Sequence, residues 1–175
     1  LNSNTTGIEN IAIGKGALYS NTTAYYNVGV GVEALYKNTT GSNNVAVGDG
    51  TSYNNITGSN NTAVGNQALA ANTTSNNTAV GFQSLKSNTA GLDNSALGSL
   101  ALSLNTTGNY NTGLGSYSLR NNTTGSGNTA VGNASLDRNT TGANNTSVGA
   151  SNLSYNTSGS KNTAFGYTSM NKNTT

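Results

Sequence analysis

Apolar residues enter this chain in a fixed rhythm. A small residue followed by a large one and closed by Gly, as in Ala63-Val64-Gly65, is answered three residues later by a second pair, Ala68-Leu69. The closing glycines are Gly14, Gly31, Gly48, Gly65, Gly81, Gly98, Gly115, Gly132, Gly149 and Gly166, spaced by 17 residues with one step of 16. The commonest unit reads N-T-T-G-x-x-N-T-A-V-G-x-x-A-L-x-x, numbered here as positions 1 to 17 from its first Asn. A fixed period in this range marks a stacked repeat architecture, in which each unit buries its apolar residues against its neighbours.

Helix is disfavoured, because Gly at position 11 and usually at position 4 interrupts every unit, and Asn, Thr and Ser favour turns. Short extended segments fit better, one over N-T-A-V and a second over A-L-x, each bounded by Gly. The predicted fold is therefore all-β: a parallel β-solenoid of ten 17-residue coils, a single repeat array over 1–175 and a window on a longer repeat region. Position 10, always large and apolar, and position 15, Leu or Met except at Ser52, are the expected core. Positions 9 and 14 are mostly small, which suits close approach of backbone layers or of neighbouring chains. All charged residues and all Tyr fall at positions 5, 6, 12, 13, 16 or 17, the expected outer surface. The one shortened unit, Asn72-Thr73-Thr74-Ser75-Asn76-Asn77, lacks one residue before its position-7 Asn, which places a turn at positions 4 to 6.

Composition changes the picture in one respect. Asn (33), Thr (27), Gly (23) and Ser (21) make up 104 of the 175 residues, a bias that without the period would indicate disorder. With the period, these residues occupy assigned columns. Position 7 is Asn in every unit: Asn10, Asn27, Asn44, Asn61, Asn77, Asn94, Asn111, Asn128, Asn145 and Asn162. A buried column of this kind satisfies its amides from coil to coil, as stacked Asn side chains do in cross-β assemblies.

Position 1 is also always Asn and supports two readings. Asn4, Asn21, Asn38, Asn55, Asn72, Asn105, Asn122, Asn139, Asn156 and Asn173 each open an N-x-Ser/Thr sequon, which makes them candidate N-glycosylation sites. The other reading is a second structural ladder, favoured by Asn88, which persists although Asn88-Thr89-Ala90 is no sequon. A column of glycans repeating every ~4.8 Å would also be crowded. Thr at positions 2 and 3 offers further attachment points for O-linked sugars.

Several function classes fall for want of residues. The chain has no Cys, His, Pro or Trp, which removes disulfides, thiolate or imidazole metal sites and catalysis by His or Cys. Seven basic and five acidic residues give a net charge of +2, too sparse a field to track phosphates, so nucleic acid is not an expected partner. No apolar stretch approaches the ~20 residues of a membrane span. Gly-x-Gly sequences such as Gly29-Val30-Gly31 precede no helix that could hold an anion. The nearest carboxylate pair, Glu33 with Asp49 in adjacent coils, reads as two solvated charges rather than as a glycosidase pair. Consecutive Thr residues at positions 2 and 3 point to opposite faces, which disfavours a flat water-ordering array. No cofactor is expected. Tyr19, Tyr36 and Tyr53 share position 16 of successive coils and predict an aromatic ladder, a candidate surface contact that Tyr25 and Tyr26 would extend.

The N-T-A-V-G-x-x-A-L element, carried by Asn61–Leu69 and in variant form by Asn10–Leu18 and Asn128–Leu136, resembles the head repeats of YadA-like trimeric autotransporter adhesins. It is also similar to Asn/Thr/Gly-rich repeats of bacterial surface and tail-fibre proteins. The adhesin resemblance implies a left-handed parallel β-roll, three chains about one axis and attachment to host surfaces; the added N-T-T-G segment lengthens the unit here. The functional expectation is a non-enzymatic structural protein at the cell surface or outside it, the shaft of a glycosylated fibre or filament. The alternative is an adhesin head or tail-fibre module that binds glycans. Either reading implies self-association, as a filament or a homotrimer.

Overall fold

A computed structural model describes residues 1–174; Thr175, the last residue of the Asn173 sequon, lies outside the described residues. The chain forms ten three-residue strands: β1 (Ile11–Ile13), β2 (Val28–Val30), β3 (Val45–Val47), β4 (Thr62–Val64), β5 (Thr78–Val80), β6 (Ser95–Leu97), β7 (Thr112–Leu114), β8 (Thr129–Val131), β9 (Thr146–Val148) and β10 (Thr163–Phe165). They stack in chain order as one parallel sheet, each residue paired with its repeat equivalent, as in Val45↔Thr62 and Ala46↔Ala63. The expected parallel β-solenoid is the fold. The shortened unit leaves this register intact, since Thr62 still pairs with Thr78. Thr74 there takes the place of the position-4 residue, its carbonyl accepting from Nδ2 of both Asn61 and Asn72.

The expected second strand over A-L-x does not form. Positions 13 and 15 adopt left-handed backbone, as at Gln67 (φ 55°) and Leu69 (φ 53°), so that stretch is a run of tight turns. The turns bond both locally and between coils: Ala68 N–H donates to Gly65 O at 3.2 Å, and Leu69 N–H to Ser84 O of the next coil at 3.0 Å. Left-handed backbone ordinarily costs an L-residue roughly 1–2 kcal/mol. Complete burial of Leu69 contributes about 1.5–3 kcal/mol and offsets that cost in its coil.

The core also departs from expectation. In a three-residue strand only the middle side chain points inward. That residue is position 9, and Ala46, Ala63, Ala79 and Ala130 are fully buried. Position 10 faces outward instead, with Ile13 60% and Leu97 50% exposed. The lumen is too narrow for two large columns. A Cβ built on Gly29 would stand 3.3 Å from the Leu18 side chain, so a small residue at position 9 is what lets Leu fill position 15. Positions 9 and 14 are therefore small because they line the inside of the coil, and they do not lie where another chain could touch them. The column breaks once, at Ser52, which separates Leu18 and Leu35 from the longer run beginning at Leu69.

Candidate interaction surfaces

The two Asn columns are built into the wall of the coil. At position 7, Asn128 Nδ2 donates to Asn111 Oδ1 (3.1 Å) and to Gly142 O in the next coil (2.8 Å), while its backbone N–H donates to the same Asn111 Oδ1 (3.0 Å). At position 1, Asn139 Nδ2 donates to Asn122 Oδ1 (2.8 Å) and to Gly142 O (2.9 Å). Both columns therefore meet at the position-4 carbonyl. Most coils carry Gly there, and at Gly142 a Cβ would lie 2.3 Å from Gly159 O and 2.4 Å from Asn139 Oδ1. Where Ala24 replaces Gly, the Asn21 Nδ2 bond to its carbonyl lengthens to 3.3 Å.

This geometry bears on the sequons. Asn21, Asn38, Asn55, Asn72, Asn105, Asn122, Asn139 and Asn156 are fully buried, as is Asn88. Nδ2 is spent on two hydrogen bonds in seven of the eight, as in Asn38 and Asn55, and in Asn72 on one, to Thr74 O. An N-linked sugar replaces one Nδ2 hydrogen and needs open space beside it, so these eight amides are closed to glycans in the folded coil. Asn4 is exposed and Asn173 half-buried, at the first and last described coils. Position-2 Thr hydroxyls are also occupied, each donating to the carbonyl one coil on, as Thr123 does to Thr140 O (3.0 Å). Position 3 remains open, with Thr23, Thr40, Thr124 and Thr141 exposed.

The outward face of the sheet was not legible as such from the apolar pattern. It carries position 8, mostly Thr, and position 10, always apolar, side by side on every strand, and no charged residue occurs at either position in any coil. The exposed side chains include Ile11, Ile13, Val47, Leu97, Leu114 and Phe165. Position 10 is apolar in every coil, exposed at Ile13, Val47, Leu97, Leu114 and Phe165 and half-buried at Val30, Val64, Val80, Val131 and Val148, and such a line is unusual on an isolated chain.

The tyrosine ladder forms. Tyr19 and Tyr36 stack with centroids 5.0 Å apart and planes within 8°, and Tyr36 and Tyr53 stack at 5.2 Å and 4°. Tyr25 and Tyr26 do not extend it: they belong to another edge of the coil and pack edge-on to each other. Burial, with the neighbouring Tyr19 and Tyr53 phenols and the Glu33 carboxylate, raises the Tyr36 pKa above its ordinary value of 10.0. Ammonium Lys37 lies 5.2 Å from the Tyr53 ring centre and donates to Asn54 Oδ1 at 2.9 Å. Beside the ladder's end is a groove of about 260 Å³, lined by Glu33, Asp49, Gly50, Tyr53, Asn54, Gln67, Ala70 and Lys86. Glu33 and Asp49 thus share one surface depression. A second charged cluster holds Arg120 against Asp137 (Nε–Oδ1 3.0 Å, Nη2–Oδ2 3.1 Å).

Among the described residues no group of three acidic residues could hold a metal ion, and no helix is long and apolar enough to cross a membrane. No family model, curated protein or solved structure matches the chain.

Proposed function

We propose that the chain is a non-enzymatic structural rod, the shaft of an extracellular or cell-surface fibre or filament, built by self-association. The observation that carries this reading is the uncharged sheet face of positions 8 and 10, which presents apolar side chains from β1 to β10. Ten strands at about 4.8 Å make a strip roughly 45 Å long and about 10 Å wide. Two such strips facing each other approach the roughly 1,000 Å² of buried surface that a specific interface needs. The same face explains the residue choice: β-branched Val and Thr keep the strip stiff and level, whereas a monomeric rod would gain solubility from charge there. Covalent sugars, where present, attach to the exposed position-3 threonines rather than to the buried asparagines.

Sedimentation velocity and negative-stain imaging test this reading. The expected result is oligomers or fibres at micromolar concentration, converted to single rods of unchanged circular dichroism by the triple substitution Val47→Lys, Leu97→Lys and Leu114→Lys. Single rods before any substitution would overturn it. A discrete trimer with no fibre would move the assignment to the adhesin-head alternative.

A further inference from the structure

The groove at the end of the tyrosine ladder has the shape of a missing rung. Column 16 runs Tyr19, Tyr36, Tyr53, Ala70, Lys86, so the stack stops at Tyr53 and the next position carries only a methyl group. The Tyr36 ring leans over the position-13 residue of the preceding coil: a Cβ placed on Gly16 would lie 3.2 Å from it. By the same register, a ring at residue 70 would lie over Gly50. Gly50 has no side chain, and a Cβ there would meet nothing closer than Gln67 Cγ at 3.6 Å. Two absences, at residues 50 and 70, thus leave a vacancy one rung high beside the Tyr53 face that Tyr36 does not cover, bounded further along the column by Lys86.

The lining says what kind of ring belongs there. An aromatic face attracts groups with partial positive charge at their edge, which includes the C–H bonds on one face of a sugar. Around Tyr53 stand two carboxylates (Glu33, Asp49), two amides (Asn54, Gln67) and one ammonium (Lys86). That is a rim of both acceptors and donors about a flat apolar floor, the arrangement that fixes a polar ligand's orientation. A second aromatic side chain would use the Tyr53 face and leave the polar rim unpaired. A pyranose uses both.

We propose that this vacancy is a carbohydrate subsite, in which one pyranose ring stacks on Tyr53 as the fourth rung of the ladder and its hydroxyls bond to Glu33, Asp49, Gln67 and Lys86. The site lies at positions 12 to 17, apart from the strands of the proposed association face, and does not depend on that association. Tyr19 and Tyr36 serve it indirectly: they hold Tyr53 in its rotamer and are not themselves ligand contacts.

Saturation-transfer NMR on the intact chain tests the assignment, with methyl β-D-glucopyranoside, methyl β-D-galactopyranoside, methyl N-acetyl-β-D-glucosaminide and p-cresol as probes. Irradiation of the protein's aromatic protons is expected to transfer to ring C–H protons of at least one sugar. Ala70→Tyr, which completes the ladder and fills the vacancy, is expected to abolish the transfer while circular dichroism stays unchanged. Tyr53→Ala should also abolish it, and Tyr110→Ala, distant in column 6, should leave it intact. Transfer that survives Ala70→Tyr, absence of transfer to all three sugars, or transfer to p-cresol alone would each overturn the proposal, the last in favour of an aromatic side chain of a partner.

Discussion

Asn94 and Asn111 are joined through a single oxygen. Asn94 Oδ1 accepts both the backbone N–H of Asn111 (2.9 Å) and its Nδ2 (3.2 Å), and Asn111 Nδ2 goes on to Gly125 O at 2.9 Å. Every polar atom in this contact is buried, so the column acts as a continuous bond network running the length of the rod. Asn111→Asp replaces the double donor with an acceptor and sets a carboxylate against Asn94 Oδ1 and Gly125 O. The expected loss is about 3 kcal/mol or more, since a buried unpaired charge is among the costliest single changes. Burial raises the pKa of the new carboxyl in the folded state. Its neutral form can donate one bond, so the variant is most stable below the ordinary Asp range near 3.9 and loses stability as the pH rises through the raised value. Melting curves at low and neutral pH check this: equal melting temperatures for the variant at both would exclude the network as drawn.

Ser52 is the one break in the leucine column. It is buried and its hydroxyl has no partner. The neighbouring position-14 residue, Thr51, is larger than Ala, yet the coil of Asn152 and Leu153 accommodates a large position-14 residue and a Leu together, both buried. Ser52→Leu is therefore expected to stabilise the rod by roughly 1–3 kcal/mol, through added apolar burial and removal of an unsatisfied hydroxyl. Urea unfolding measures it, with a rise in midpoint at unchanged slope as the expected signature.

The period, the parallel stacking and the in-register columns were legible because each rests on spacing alone. The position-7 column follows from the same spacing: each Asn stands above its equivalent, and the backbone N–H to Oδ1 bond repeats from coil to coil, although the Nδ2 to Oδ1 link lapses at Asn61 and Asn77 beside the shortened unit. Misassignment of position 10 to the core arose from size. Val64 and Leu97 look like core residues, but parity decides, and in a three-residue strand the inward residue is Ala63 or Ala96. The signal was present in position 8, where Thr62 and Thr78 share parity with Val64 and Val80, and Thr at that position marks a face in contact with water. The turns from position 12 to 17 were illegible for a different reason. Leu69 and Leu85 adopt φ values of 53° and 49°, which no local preference of Leu would suggest, and only the fit of their side chains into the lumen selects that backbone.

Position 6 shows what left-handed backbone costs when burial offers nothing in return. Tyr110 has φ 57° and is 67% exposed, while Asn occupies the same column at Asn43, Asn60, Asn76 and Asn144. Asn tolerates this region far better than an aromatic residue. Tyr110→Asn is expected to raise stability by up to about 1 kcal/mol, and Tyr110→Val, β-branched and intolerant of positive φ, to lower it by a similar amount. Paired thermal melts decide; the same direction of change for both variants would mean that backbone strain is not the controlling factor.

Alkaline titration reads the tyrosine stack directly. Tyr36 is flanked on both faces by rings 5.0 and 5.2 Å away, and its pKa is raised by burial first, then by Tyr19, Tyr53 and Glu33. A phenol whose folded pKa exceeds its unfolded value near 10 binds its proton more tightly in the folded state. Its contribution to stability is thus complete below about pH 10 and is lost as the pH rises through the folded value. Absorbance at 295 nm should show a last, high-pH ionisation step that belongs to Tyr36. Tyr36→Phe, which keeps the stack and removes the proton, should abolish that last step and flatten the fall of melting temperature above pH 10. An unaltered fall in Tyr36→Phe would show that ionisation elsewhere in the rod controls alkaline unfolding.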